Sequence, residues 1–434
     1  MRSRREIRIL DPLYGDVLLN GPIGELSCTP AIQRLREIRL SNIDSICMPG
    51  IANISRYEHS IGVAYLAGRI GFSSRLSRPE TLVLQAAAIL HDSAITAFGH
   101  LVEEAFQYAS APFNHEMKLS MLLQNSREGE LEGINMQLYA GRESGIRKWS
   151  EQTFGAEADK RLEEIVEALT GKGKLGPCIK GDIDLDNLDN LIRIAFHMGL
   201  EVDKSLPIRI ATGIVGTKEG DGVIFSSEAI EPIKKWLELR QKVYTRLMLS
   251  RDDFAGKVML IYSTIAAFKR GELGLPNYAW ILTDRDLVQC LLGSKDKDVV
   301  HTVRSWQVRD LWPISDLIWM EGRAPQYATI NDFNDFVSDA LGRPCFAYCI
   351  SDKRTRSLKL RVESGKMVQL GDPPSGWLLG VASRIRKDFT IAENRHLQQV
   401  ASEFFNTKCL GKAGEARPEP SPLFEQRLTT HGRK

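Results

Sequence analysis

The sequence predicts a mainly α-helical protein with a short N-terminal hairpin and a smaller α/β region towards its C-terminus. Three observations carry that prediction. Apolar residues recur at helical spacing through most of the chain up to about residue 311, as Val63 and Leu66 do, with His59 on the same face at i, i+4 and i+7. Helix-opening chemistry precedes several of these runs, at Thr29-Pro30 and at Asn53 or Ser55. Beyond about residue 312 short β-prone runs appear at 345–350, 358–362 and 377–381, with helical stretches around them. The expected division is a helical domain over 1–311, an α/β subdomain over 312–410 and a disordered tail over 411–434, where Pro, Glu and Arg accumulate.

Taken in order, residues 7–20 read as a hairpin, two β-prone runs flanking Asp11-Pro12 and Gly15. A helix then opens at Pro30 with Ile32, Leu35 and Ile38 on its buried stripe. Met48-Pro49-Gly50 breaks the chain before the helix that carries Arg56-Tyr57-Glu58-His59. The run 82–90 is apolar except for Gln85, which predicts a largely buried helix, and it ends in His91-Asp92. Residues 93–100 are rich in small side chains and read as a loop; His115-Glu116 opens the next helix. Gly171 to Gly176 matches G-x-G-x-x-G but has no preceding strand, so a flexible loop is the reading.

The stretch 182–193 is rich in aspartate but has neither the turn glycine nor the final glutamate of a calcium loop. On a helix it sets Asp186, Asp189 and Arg193 on one face, either a solvated surface or the completion of a metal site and its supporting groups. Runs at 208–215 and 223–225 read as strands around the turn 216–222. Long helices are expected at 230–249 and 254–270. The first of them carries Lys234, Lys235, Arg240, Lys242, Tyr244 and Arg246, a phosphate-facing row or a charged solvated face.

Composition excludes some function classes. The 434 residues carry 57 basic and 55 acidic side chains, a net charge of +2 that draws the chain to neither nucleic acid nor membrane. No aromatic-basic platform for nucleic acid is present. No apolar run approaches the roughly 18 residues of a membrane-spanning helix, and no apolar segment follows the basic N-terminus as in a signal peptide. Seven scattered cysteines without a C-x-x-C pair fit a reducing, cytoplasmic setting.

The candidate chemistry lies at His91-Asp92. A neutral imidazole and a carboxylate at the end of a buried helix need partners, and either a cation or a simple His–Asp hydrogen bond would supply them. Four of the eight histidines fall between positions 59 and 115, which favours a shared site over scattered core histidines.

These residues resemble a known family, the HD-domain phosphohydrolases, and within it the deoxynucleoside triphosphate triphosphohydrolase branch. The resemblance runs through Asp11-Pro12-x-x-Gly15, Thr29-Pro30-x-x-Gln33-Arg34-Leu35-Arg36, Pro49-Gly50, Arg56-Tyr57-Glu58-His59-Ser60-x-Gly62-Val63, Leu90-His91-Asp92, Asp186-x-x-Asp189 and Val243-Tyr244. It implies an all-α HD core and a divalent metal ion (manganese, magnesium, iron, cobalt, nickel or zinc) held by His59, His91, Asp92 and Asp186. It also implies catalytic roles for Arg56, Asp92, His100 and His115, and substrate contacts at Arg56, Asp189, Arg193 and Tyr244. The expected partners are a nucleotide substrate and further copies of the chain. Where the family reads His-Asp-x-Gly-His-x-Pro-Phe-x-His, this chain has Ala94, Ile95 and Ala97 in place of the Gly, the middle His and the Pro. Arg39-Leu40-Ser41-Asn42 stands in place of its Gln-Leu-Gly, and no arginine near Tyr244 clearly matches the family's phosphate-binding one. Three readings follow: release of triphosphate from deoxynucleotides, a phosphatase acting on nucleoside monophosphates or another phosphate ester, and a nucleotide-binding sensor with impaired catalysis.

Overall fold

The computed structural model describes residues 6–19, 21–41, 47–111, 113–124, 145–218, 222–273, 281–374 and 376–414. The chain opens with an antiparallel hairpin, β1 (Ile7–Asp11) and β2 (Gly15–Leu19), in which Asp11 pairs with Gly15. Three short helices, α1 (Pro22–Ser27), α2 (Pro30–Arg34) and α3 (Pro49–Ala52), lead to the long pair α4 (Arg56–Ser73) and α5 (Arg78–Leu90). Then come α6 (Leu101–Tyr108), α7 (His115–Gln124), α8 (Ile146–Phe154), α9 (Ala158–Leu169), α10 (Gly176–Ile179) and α11 (Leu185–His197). They are followed by α12 (Leu206–Thr212), β3 (Ile214–Lys218), β4 (Gly222–Phe225), α13 (Ile230–Leu249), α14 (Arg251–Lys269), α15 (Asp284–Leu292) and α16 (Lys297–Gln307). The last part holds β5 (Ile318–Glu321), α17 (Tyr327–Leu341), β6 (Cys345–Ser351), β7 (Leu358–Val362) and β8 (Met367–Leu370). It ends with β9 (Gly376–Ser383), α18 (Ile391–Phe405) and β10 (Cys409–Lys412). The protein is mainly α, as predicted.

Local chemistry explains the helices that bear the site. Ser55, the nearer of the two candidate caps, accepts the backbone N–H of Glu58 and starts α4. Ser77 and Glu80 form a reciprocal capping box at the head of α5, with Pro79 in its first turn. Asp184 caps α11 by accepting from Asn187 N at 2.7 Å. The α4–α5 pair is packed closely because Gly71 has no side chain: a Cβ there would lie 2.4 Å from Thr81 Cγ2. From Val83 to Leu90 every residue of α5 but Gln85 is fully buried, as the apolar run predicts.

Two four-stranded sheets accompany the helices. One has the order β10-β5-β9-β6 and is antiparallel throughout; the other has the order β3-β4-β7-β8, with β4 and β7 parallel. The second sheet therefore combines strands from residues 214–225 with strands from 358–370. Two expectations need correction. The run 208–215 is not a strand: Pro207 sits in the first turn of α12, which extends to Thr212, and the strand begins only at Ile214. Gly411 and Lys412, placed in the tail by composition, lie in β10 against β5; residues 415–434 lie outside the described residues.

Candidate metal centre and its cavity

Helices α4, α5 and α11 bring His59, the pair His91-Asp92 and Asp186 together. His59 Nε2 lies 3.0 Å from Asp186 Oδ1 and 3.9 Å from Asp92 Oδ2. His91 Nε2 lies 3.3 Å from the same Asp92 oxygen and 3.8 Å from Asp186 Oδ1. Donors bound about 2.1 Å from one ion are separated by such distances.

The atoms behind the donors decide which nitrogen faces inward. His59 Nδ1 is 2.7 Å from Asp189 Oδ1, and His91 Nδ1 is 2.7 Å from the carbonyl of Ala88. Each imidazole thus engages an acceptor through Nδ1 and points Nε2 at the common point, the arrangement of metal-binding histidines. His91 Nε2 is buried and has no hydrogen-bond partner. A divalent cation would satisfy that orphaned atom and offset the charge of Asp92 and Asp186 at once. Burial opposes the charged imidazolium of His91, yet Asp92 and Asp186 outweigh it and push its pKa up to about 9. Burial likewise opposes ionised Asp92, but Arg56 and then His91 hold it well below the usual carboxylate range. Arg56 Nη1 donates to Asp92 Oδ2 at 2.5 Å, so the arginine next to the first donor also faces the centre.

Asp189 and Arg193 were expected to touch substrate. Instead both are fully buried behind His59. Arg193 is paired with Asp189 through Nε at 2.8 Å and Nη2 at 2.9 Å, and reaches Asp11 at 3.0 Å and Glu58 at 2.5 Å. The Tyr14 hydroxyl donates to Asp189 at 2.8 Å. The N-terminal hairpin therefore contributes Asp11 and Tyr14 to the network that orients a metal donor.

A second cluster sits beside the first. His100 Nδ1 and His115 Nδ1 lie 2.7 and 2.8 Å from the two oxygens of Glu103. His115 Nε2 is 4.0 Å from Asp92 Oδ1. Burial would raise Glu103, but the hydrogen bonds from His100 and His115 hold it far below the usual carboxylate range. His100, Glu103 and His115 are close enough to hold an ion of their own, but their facing atoms already satisfy one another. Glu103 was not singled out from sequence, although its spacing from His100, three residues on, was a visible signal.

Both clusters open onto one cavity of about 340 Å³. Arg56, His91, Asp92, His100, His115 and Asp186 line it, together with Asn187, Asn190, Tyr244, Lys257 and Lys353. Tyr244 thus lines the same cavity as the candidate donors. Ile95 is not in the cavity: its side chain is fully buried in the core, and its carbonyl accepts from Arg34 Nη2 at 2.5 Å. Arg39 also faces away from substrate recognition. It donates through N and Nε to one oxygen of Asp284, whose other oxygen accepts Phe98 N–H at 2.6 Å, fixing the 91–100 loop. On α13, Lys234, Lys235 and Lys242 are solvated, but Arg240 is buried and stacks on Tyr244 with 4.5 Å from its guanidinium carbon to the ring centre. Sequence reading saw Arg240 only as one cation in a charged row.

Comparison with known proteins gives the same address. The HD domain model matches residues 56–191. An uncharacterized protein of Methanocaldococcus jannaschii is 25% identical over 281 residues, covering 62% of this chain and 52% of the relative. Deoxynucleoside triphosphate triphosphohydrolase SAMHD1 of Bos taurus is 26% identical over 219 residues, 44% of this chain and 36% of the relative. The Homo sapiens protein of that name is 26% identical over 211 residues, again 44% of this chain and 33% of the relative. The chain spans about a third to a half of the length of these relatives. Residues 56–191, which carry all four donors and the histidine pair, are an HD domain, and the chain around them is similar to the deoxynucleoside triphosphate triphosphohydrolases.

Proposed function

We propose that the protein is a metal-dependent nucleotide phosphohydrolase that converts a deoxynucleoside triphosphate to deoxynucleoside and triphosphate. The observation that carries this reading is the shared cavity: His91, Asp92 and Asp186, the Arg56 guanidinium and a carboxylate-clamped histidine pair all line one space. When bound, a divalent ion there supplies Lewis-acid polarisation of a phosphoryl oxygen and acidifies water.

The chain's own residues do the rest. His59, His91, Asp92 and Asp186 hold the ion. Arg56 offers its guanidinium to phosphoryl charge as that charge grows. Glu103 holds Nδ1 of both histidines at its two oxygens, and His115 turns its Nε2 toward Asp92 Oδ1, 4.0 Å away. In its protonated form His115 can pass the Nε2 proton to the leaving oxygen, with His100 beside it at a ring separation of 5.2 Å. Tyr244 presents an aromatic face and Asn190 an amide to the nucleoside. The chain is expected to act as a homo-oligomer, which sedimentation would read.

The test is a product-resolved turnover assay on deoxynucleoside triphosphates, ribonucleoside triphosphates and nucleoside monophosphates, with magnesium, manganese or cobalt, beside Asp92→Ala. Deoxynucleoside plus triphosphate, lost in Asp92→Ala, is the expected result. Phosphate released from monophosphates alone would move the assignment to phosphatase. Nucleotide binding without any turnover would leave a sensor.

A further inference from the structure

A group of buried donors on α13 has no acceptor among the described residues. Arg240 is 7% exposed, and its Nε and Nη1 are buried without a hydrogen-bond partner. One turn back, Trp236 is fully buried and its Nε1 is likewise unpartnered. The Arg240 guanidinium carbon lies 5.7 Å from the Trp236 ring centre and 4.5 Å from that of Tyr244, so the cation packs against two aromatic rings. Tyr244 lines the cavity of the metal centre but Arg240 and Trp236 do not, which sets this group apart from that cavity.

Arg356, from the segment between β6 and β7, adds a second positive charge. It donates Nη2 to the carbonyl of Gly181 at 3.0 Å and forms no ion pair among the described residues. Burial pushes the Arg240 pKa down, and the charge of Arg356 pushes the same way. The carboxylate whose charge reaches both arginines is Asp184. Its oxygens are taken: Oδ1 accepts from Asn187 N at 2.7 Å and Nδ2 at 2.8 Å, and Oδ2 accepts from Nδ2 at 3.1 Å. A guanidinium does not shed its proton to escape burial, and idle buried donors are costly until an acceptor arrives. A water molecule could accept from these donors but brings no charge to set against two guanidiniums. Because Trp236 is wholly enclosed and Arg240 nearly so, the space between them favours a small ion over a phosphate.

We infer that Arg240, Trp236 and Arg356 form a buried site for a small monovalent inorganic anion, chloride in ordinary salt solution, behind Tyr244 and separate from the metal centre. Arg240 Nε and Nη1 and Trp236 Nε1 are its donors, and Arg356 supplies further positive charge. This goes beyond the phosphohydrolase reading and does not rest on it, since the site stands whether or not the chain hydrolyses nucleotide.

The test is the chloride NMR line width of a sodium chloride solution to which the magnesium-loaded full chain is added. The wild type should broaden the line, and Arg240→Gln should cut the excess broadening at least about fivefold. Arg356→Gln, at a half-buried position, should cut it in the same direction and carries the test should the first variant not fold. Lys234→Ala, solvated on the same helix, should leave it unchanged. Thermal melting at constant ionic strength, with gluconate exchanged for chloride, gives a second readout. The wild type should gain about 2–4 °C in chloride, and Arg240→Gln should gain nothing. In gluconate Arg240→Gln should melt no lower than the wild type, because it removes a buried charge that lacks a counter-ion. A residue that merely packs would melt lower in both salts alike, and that result would overturn the proposal. So would a wild type that broadens nothing, or broadening lost equally in Lys234→Ala. A melting gain from orthophosphate but not from chloride would overturn the assignment to a small monovalent ion.

Discussion

At the residue scale the site depends on carboxylates that never meet substrate. Glu103 has a folded pKa below its unfolded value of about 4.3. The stability it contributes is therefore present above about pH 4.3 and lost as pH falls through the folded value. Urea midpoints at pH 7 and pH 3.5 should fall further for the wild type than for Glu103→Gln, and at pH 7 that variant should lose turnover while keeping its metal. Asp189→Asn breaks a buried pair with Arg193 and should cost about 3–5 kcal/mol, seen in denaturant unfolding, together with weaker metal retention because His59 loses its partner. His59, His91, Asp92 and Asp186 were legible as candidates because their residue types are rare and their pattern repeats a family's. For Asp189 and Arg193 the helical face left open a solvated surface or the support of a metal site, and the resemblance gave a substrate contact; the structure buries both behind His59. Arg240 was hidden among exposed cations that share its helix.

At the scale of elements, the site is built by two close approaches. A Cβ on Gly62 would come within 2.1 Å of Asp189 Oδ2 and 2.4 Å of Arg193 Nη2, so α4 can reach α11 only with glycine there. Gly62→Ala should lower the melting temperature and the metal content together, as measured by thermal melting and elemental analysis. Ser77→Ala, which removes the capping box of α5 on the solvent side, should cost about 1 kcal/mol in unfolding and leave metal content unchanged. Most helices were legible from caps and spacing. The strand expected at 208–215 failed because β-branched residues carry a strand-like composition even where a proline starts a helical turn. The 91–100 loop was read as a loop, but the Arg34 and Asp284 bonds that hold its shape span up to 186 residues of sequence and no local signal contains them.

At the scale of the whole molecule, the sheet that joins β4 to β7 ties the chain before residue 311 to the chain after it. A chain ended at 311 would lose β7 and β8 from that sheet, along with Ile350 and Lys353 from the cavity wall. It should be poorly soluble, as measured by the fraction left in the supernatant after centrifugation. That sheet also sets an order of events during synthesis. At ordinary rates of about 5–20 residues per second, Lys353 leaves the ribosome on the order of ten seconds after Asp186. All four candidate donors are thus translated well before Ile350 and Lys353, which line the same cavity. A chain synthesised only as far as α11 thus carries every candidate donor while part of the cavity they face has still to be made.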